Sequence, residues 1–184
     1  MTSTLTPIAH PKVTPVRQFA DDRGYSYFPE YPLSSEGQMN WSIMYPGVVK
    51  AFHYHEQQWD YWVGLVGMLK VVMARPIETP ELTLELKEGG WKKVVTLEED
   101  LIADLKNETR NLGRHFALQW HFIGERNPAM IAIPSGVLHG YTTVGNTPCG
   151  LLYHVTKKYD AKNPDEWRVD WDAFGETIWK VENK

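Results

Sequence analysis

Apolar and polar residues alternate in short runs along most of the chain, the period-two pattern of half-buried strands. Gln38 to Tyr45 (QMNWSIMY) reads this way, and so does Val48 to Tyr54 (VVKAFHY). In the second run strict alternation puts Val48, Lys50, Phe52 and Tyr54 on one face. Val49, Ala51, His53 and His55 then share the other face. Tyr61 to Val66 and Leu69 to Ala74 predict a hairpin hinged near Gly67, ended by Pro76 and Pro80. Further strands are predicted at Tyr25 to Phe28, after the turn Asp21-Asp-Arg-Gly24, and at Phe116 to Ile123, Met130 to Ile133, His139 to Val144 and Gly150 to Thr156. The period changes once. Thr96-Leu-Glu-Glu99 has the form of a capping box, and Leu97, Leu101, Ile102 and Leu105 follow at helical spacing, which predicts a helix over 97–107. Residues 1–20 are rich in Pro and Thr and predicted extended, and the tail from Asn163 is predicted irregular. Many short strands with one helix point to an antiparallel barrel or sandwich.

A chain of 184 residues with 42% hydrophobic content suits one globular domain, residues 1–184, able to bury a core. The net charge of -4 argues against a nucleic-acid surface. A lone cysteine, Cys149, rules out an internal disulfide and fits a reducing compartment. The first residues lack a basic start followed by an apolar run, and no apolar segment approaches the ~18 residues of a membrane span. The expectation is a soluble, cytoplasmic protein with neither a nucleic-acid nor a membrane partner.

The stretch from Gly47 to Gly67 (GVVKAFHYHEQQWDYWVGLVG) concentrates the candidate chemistry. Its spacing, Gly47, five residues, His53-x-His55, four residues, Asp60, six residues, Gly67, resembles the first motif of the cupin superfamily, with Asp where that motif usually has Glu. The second cupin motif is partly matched by Pro134-Ser-Gly136-Val-Leu-His139, with Thr143 at the place of its final Asn. Period-two spacing points His53 and His55 into a barrel. Asp60 is expected on the partner strand and His139 on a facing hairpin. Three imidazoles and a carboxylate suit Fe(II), Mn(II), Ni(II) or Zn(II). Asp60 sits between Trp59 and Tyr61 in an apolar run, which argues for a buried partner. The same residues also admit two metal-free readings: His53 as a base, or a set of hydrogen-bonded pocket histidines.

Four segments in order resemble the dTDP-4-dehydrorhamnose 3,5-epimerase family, itself of cupin fold. They are Asp22-Arg-Gly24; Gln38-x-Asn40-x-Ser42 with Gly47-Val-Val-Lys-Ala-Phe-His53-Tyr54; Ile133-Pro-Ser-Gly-Val-Leu-His-Gly-Tyr141; and Leu152-Tyr153, Tyr159 and Arg168-Val-Asp-Trp-Asp172. The resemblance covers most of the chain apart from an insertion at about 78–115, where the predicted helix falls. It implies an all-β cupin, a double-stranded β-helix or jelly roll with one inserted helix, forming a homodimer with exchanged N-terminal strands. It implies no cofactor, and a nucleotide-activated 4-keto sugar as substrate. His53 would remove the proton beside the keto group and Tyr153 would return one from the opposite face. Arg23 and Lys50 would meet phosphate oxygens, Gln38, Asn40 and His139 would line the sugar pocket, and Tyr159 would lie near the nucleotide. Three features depart from the family. Asp60 stands at the position of the lysine that stabilises the enolate, His55 replaces a Gln, and the C-terminal segment bearing the aspartate that orients the histidine is missing. Two further readings follow: a metal-dependent cupin (an oxygenase or a metal-assisted isomerase) using His53, His55, Asp60 and His139, and a non-catalytic sugar-binding cupin.

Overall fold

The structure is a computed structural model that describes residues 8–76, 83–85, 93–96 and 116–181. The predicted helix over 97–107 and most of the insertion lie outside these residues. Fourteen strands are described: β1 (Lys12–Pro15), β2 (Arg17–Asp21), β3 (Gly24–Phe28), β4 (Gln38–Met44), β5 (Val49–Tyr54), β6 (Asp60–Val66), β7 (Met68–Pro76), β8 (Thr83–Glu85), β9 (Lys93–Thr96), β10 (Phe116–Gly124), β11 (Ala129–Ile133), β12 (Leu138–Thr143), β13 (Cys149–Val155) and β14 (Trp167–Arg168). One sheet runs β1-β11-β6-β13-β4 and a second β10-β7-β12-β5-β14-β9-β8, while β2 and β3 pair by themselves. This is the expected all-β jelly roll. Among the described residues no helix is long and apolar enough to cross a membrane.

Two apolar layers hold the sheets. Between them lie Met44, Trp62, Leu69, Val71, Met73, Ile131, Ile133 and Leu151, contributed by both sheets. The second layer covers the other face of the seven-stranded sheet, where Phe52, Tyr54, Val72, Ala74 and Leu138 meet Trp167, Val169, Phe174 and Trp179 of the tail. The tail expected to be irregular is therefore structural. β14 pairs with β5, and a 3-10 turn at Glu176–Trp179 buries Trp179. Covering both faces explains why β7 and β12 are almost wholly buried, and why β7 shows little alternation.

Three expectations about strand placement are corrected. β6 and β7 are not a hairpin, because β6 pairs with β11 and β13 whereas β7 pairs with β10 and β12. The chain crosses between sheets at Gly67, whose φ of 61° is cheap only for glycine. Asp60 is accordingly not on the partner strand of the histidines but on the opposing sheet, and His139 is not on a facing hairpin but on β12, directly opposite His53 in register. Finally, Lys50 shares the face of His53. His139 pairs with His53 but Tyr141 pairs with Lys50, so β5 carries one extra residue against β12. Such a β-bulge breaks the period of two and re-aims what precedes it. Gly140 sits opposite the bulge, where a Cβ would come within 2.3 Å of the Ala51 Cβ and 2.6 Å of the Lys50 carbonyl oxygen.

Candidate active site

Two adjoining cavities open between the sheets. The larger, about 360 Å³, is walled by Gln38, Asn40, His53, His55, Asp60, Tyr153 and the segment Lys157-Lys158-Tyr159. The smaller, about 170 Å³, is walled by Ser42, Lys50, His53, Trp62, Tyr141, Tyr153 and Arg168. His53 and Tyr153 belong to both. β5 carries His53, and β13, between β6 and β4 in the opposing sheet, carries Tyr153 in register with Asn40 on β4 and Trp62 on β6.

Behind His53 lies a buried polar cluster. The ligand atoms of His53, His55, Asp60 and His139 all fall within 4.8 Å of one another. His55 Nε2 is 3.7 Å from Asp60 Oδ1, and His139 Nε2 is 3.7 Å from Asp60 Oδ2. The other ring nitrogen of each histidine meets a backbone carbonyl, that of Asp165 for His55 and that of Val137 for His139 (2.8 Å). A carbonyl only accepts, so each Nδ1 carries the proton and donates it. Asp60 Oδ1 accepts from Gln58 Nε2 at 2.9 Å and Oδ2 from Trp62 Nε1 at 3.0 Å. The partners expected of a buried Asp60 are thus present. The loop between His55 and Asp60 is pinned by the Asp165 carboxylate, which accepts from the backbone N–H groups of Glu56, Gln57 and Gln58 at 2.9–3.1 Å.

Electrostatics leave the His53 imidazole in its neutral form. Burial holds its pKa well below the ordinary imidazole range, and His139, His55, Arg168 and Lys50 push the same way, so the ring is neutral at pH 7. Burial also lowers His55, although Asp60 opposes it. Burial pushes the Asp60 carboxyl up, but His139, His55 and the Trp62 N–H outweigh it, leaving the group ionised and below its usual value. Burial, followed by Asp60 and Glu166, raises the Tyr153 phenol and keeps it protonated.

The predicted residues separate into groups. His53, His55, Asp60, Gln38, Asn40, Tyr153 and Tyr159 share the larger cavity, and Lys50 joins His53 and Tyr153 in the smaller one. Lys50 Nζ donates to Ser42 Oγ at 2.9 Å, and Ser42 Oγ lies 3.1 Å from the Tyr141 hydroxyl. His139 is 1% exposed and stands behind His53 rather than on a cavity wall. Arg23 is on the projecting β2–β3 turn, paired with Asp21 and away from both cavities. Sequence reasoning gave no site role to Gln58, Trp62, Asp165, Glu166 or Arg168. Asp165 carried a local signal in the turn-forming Asn163-Pro-Asp, and Arg168 opens the last of the four resembling segments.

No family model matches the chain. It is 34% identical over 180 residues to the spore coat polysaccharide biosynthesis protein SpsL of Bacillus subtilis, covering 93% of this chain and 95% of that one. It is 29% identical over 160 residues to the probable low-salt glycan biosynthesis epimerase Agl13 of Haloferax volcanii, covering 83% and 81%. Its fold matches the crystal structure of dTDP-6-deoxy-D-glucose-3,5-epimerase RmlC from Legionella pneumophila, with a TM-score of 0.61 at 17% identity over 95% of this chain and 80% of that one. A chain with this jelly roll, this cavity between its sheets and a relative at 34% identity over 93% of its length belongs to the family of the spore coat polysaccharide biosynthesis protein SpsL, built on the fold seen in dTDP-sugar 3,5-epimerases.

Proposed function

We propose that the protein inverts a carbon beside the keto group of a nucleotide-activated 4-keto sugar. The supporting observation is that a neutral His53 and a protonated Tyr153 face the same two cavities from opposing sheets. His53 takes the proton from the carbon next to the carbonyl, and the electron pair of the broken C–H bond moves to the carbonyl oxygen as an enolate. Tyr153 delivers a proton to the other face of that carbon, the enolate collapses to the ketone, and solvent takes the proton from the His53 imidazolium and returns one to the Tyr153 phenolate. Gln38 and Asn40, joined by a 2.6 Å hydrogen bond, offer amides to the sugar hydroxyls. Lys50, and Lys157 and Lys158 on the larger cavity's wall, supply positive charge for the diphosphate, with Tyr159 beside them as a stacking surface. Arg23 reaches substrate only from a second copy of the chain.

The test is deuterium incorporation from solvent into dTDP-, UDP-, GDP- and CDP-linked 4-keto sugars. At least one substrate should exchange, and His53→Ala and Tyr153→Phe should each reduce the rate by a factor of 10² or more. No exchange with the unaltered protein across the set, together with tight binding, would leave a sugar-binding protein without turnover.

We also infer a homodimer formed across β4. This edge strand leaves Met39, Trp41 and Ile43 between 44% and 50% exposed. An apolar edge of this kind invites pairing with a second chain. Buried, unpaired Cys149 agrees with work in a reducing cytoplasm.

A further inference from the structure

We propose that Arg168 carries the charge of the enolate oxygen, so that the keto group of the substrate points into the smaller of the two cavities. The role rests on the epimerase reading and supplies the group that makes its proton transfer possible. When His53 removes the proton, the C–H electron pair forms a C=C bond and the carbonyl π pair moves onto oxygen. That oxygen is carried by the carbon next to the one that loses its proton, so it stays close to His53 and Tyr153 however the sugar lies. A negative charge formed there needs a positive partner fixed in place beforehand. The two cavities differ in what they offer. On the wall of the larger stands the Asp60 carboxylate, 2% exposed, ionised, and with an oxygen within 4.8 Å of a His53 ring nitrogen. It would repel an oxyanion on that side. On the wall of the smaller stand two cations, Lys50 and Arg168. Among the described residues its one carboxylate is Glu166, which is already paired with Arg168.

Of the two cations, Arg168 is the better placed. β14 pairs antiparallel with β5, and Arg168 is the direct register partner of His53. Directly paired residues send their side chains to the same face of a sheet, so the guanidinium emerges beside the base. After burial and the imidazoles of His139 and His55, Arg168 is the next group that holds the His53 pKa down, ahead of Lys50. The Lys50 ammonium is instead fixed on Ser42 Oγ at 2.9 Å and keeps its role toward the diphosphate. Arg168 donates to the Glu166 carboxylate from Nη2 alone. A guanidinium carries five N–H donors in one plane and does not lose its charge, so donors remain for a substrate oxygen. Glu166 is the positioning residue. It anchors one arm of the guanidinium and leaves the rest toward the cavity it also lines.

The experiment follows solvent deuterium exchange by the full chain and its variants, with whichever of the dTDP-, UDP-, GDP- and CDP-linked 4-keto sugars the unaltered protein exchanges. Arg168→Met keeps the length of the side chain and removes the charge. It should lower kcat by about 10²–10³-fold, the loss seen when one oxyanion donor is removed, with KM changed by less than about threefold. The Arg168 side chain is 37% exposed, so the fold should survive, as an unchanged circular dichroism spectrum would show. Arg168→Lys should run at least about tenfold faster than Arg168→Met, because it restores the charge without the planar fork. Millimolar guanidinium should restore part of the rate to Arg168→Ala and none to Lys50→Ala, a response that a merely structural role would not produce. Lys50→Met should act on KM instead. A kcat for folded Arg168→Met within about threefold of the unaltered protein overturns the assignment. So does a raised KM at unchanged kcat, which places Arg168 on the diphosphate, and so does a loss of kcat in Lys50→Met alone, which moves the oxyanion to Lys50. These results leave the epimerase reading standing. No exchange by the unaltered protein with any sugar of the set overturns that reading, and the role of Arg168 with it.

Discussion

Asp60 shows how one residue takes its meaning from neighbours in two directions. Its position in an apolar run signals burial, and its two oxygens each receive one neutral donor, from Gln58 and from Trp62. A buried acceptor stripped of its donor costs about 1–3 kcal/mol. Gln58→Met keeps the length of the side chain and removes the amide. Urea unfolding should show a loss of about 1–3 kcal/mol, and an unchanged midpoint would mean that water serves Asp60 Oδ1 instead. These donors were invisible in the sequence, because Gln58 and Trp62 lie two residues either side of Asp60 and nothing local shows that their side chains turn back onto it.

At the scale of the element, β5 decides the site. Its alternation correctly signals a strand with His53 and His55 on one face. It fails for Val49, Lys50 and Ala51, because one extra residue between Lys50 and His53 turns Lys50 to the side of the cavities and leaves Val49 and Ala51 against the tail-covered layer with Phe52 and Tyr54. The bulge depends on Gly140, where no side chain fits between β12 and the Ala51 methyl. Gly140→Ala should cost about 1–3 kcal/mol through overpacking and lower exchange activity by shifting Lys50, whereas Gly145→Ala, with open space around it and a φ of 85° that strains an alanine, should lower stability and leave activity intact. Equal activity in both variants would disconnect the bulge from function. The tail is a second element whose role came only with the structure. Asp165 ties the His55–Asp60 loop to the segment that leads into β14.

At the scale of the molecule, the cavity is a product of two sheets: His53, Lys50 and His139 come from one, and Asp60, Tyr153, Gln38 and Asn40 from the other. Relative motion of the sheets would separate base from acid, so the shared apolar layer between them is also what holds the site together. The exposed apolar edge at β4 carries the prediction for assembly. The unaltered protein should sediment as a dimer, and the pair Met39→Asp with Ile43→Asp should sediment as a monomer with an unchanged circular dichroism spectrum, because both side chains lie on the outer face. A monomer in the unaltered protein would remove the interface.

Local chemistry was enough to determine the strand pattern, the pairing of His53 with His55 on one face, the burial of Asp60 and the family likeness carried by four ordered segments. Each of these depends on residues close together in the chain or on side-chain polarity alone. Which strands pair, where the chain changes sheet at Gly67, the bulge that turns Lys50 inward, and the convergence of Asp60 and Tyr153 on His53 were decided by tertiary structure. The physical reason is that a strand's alternation specifies an inner and an outer face but not its neighbour. Neighbours are chosen by how two whole sheets and the tail bury their apolar faces together.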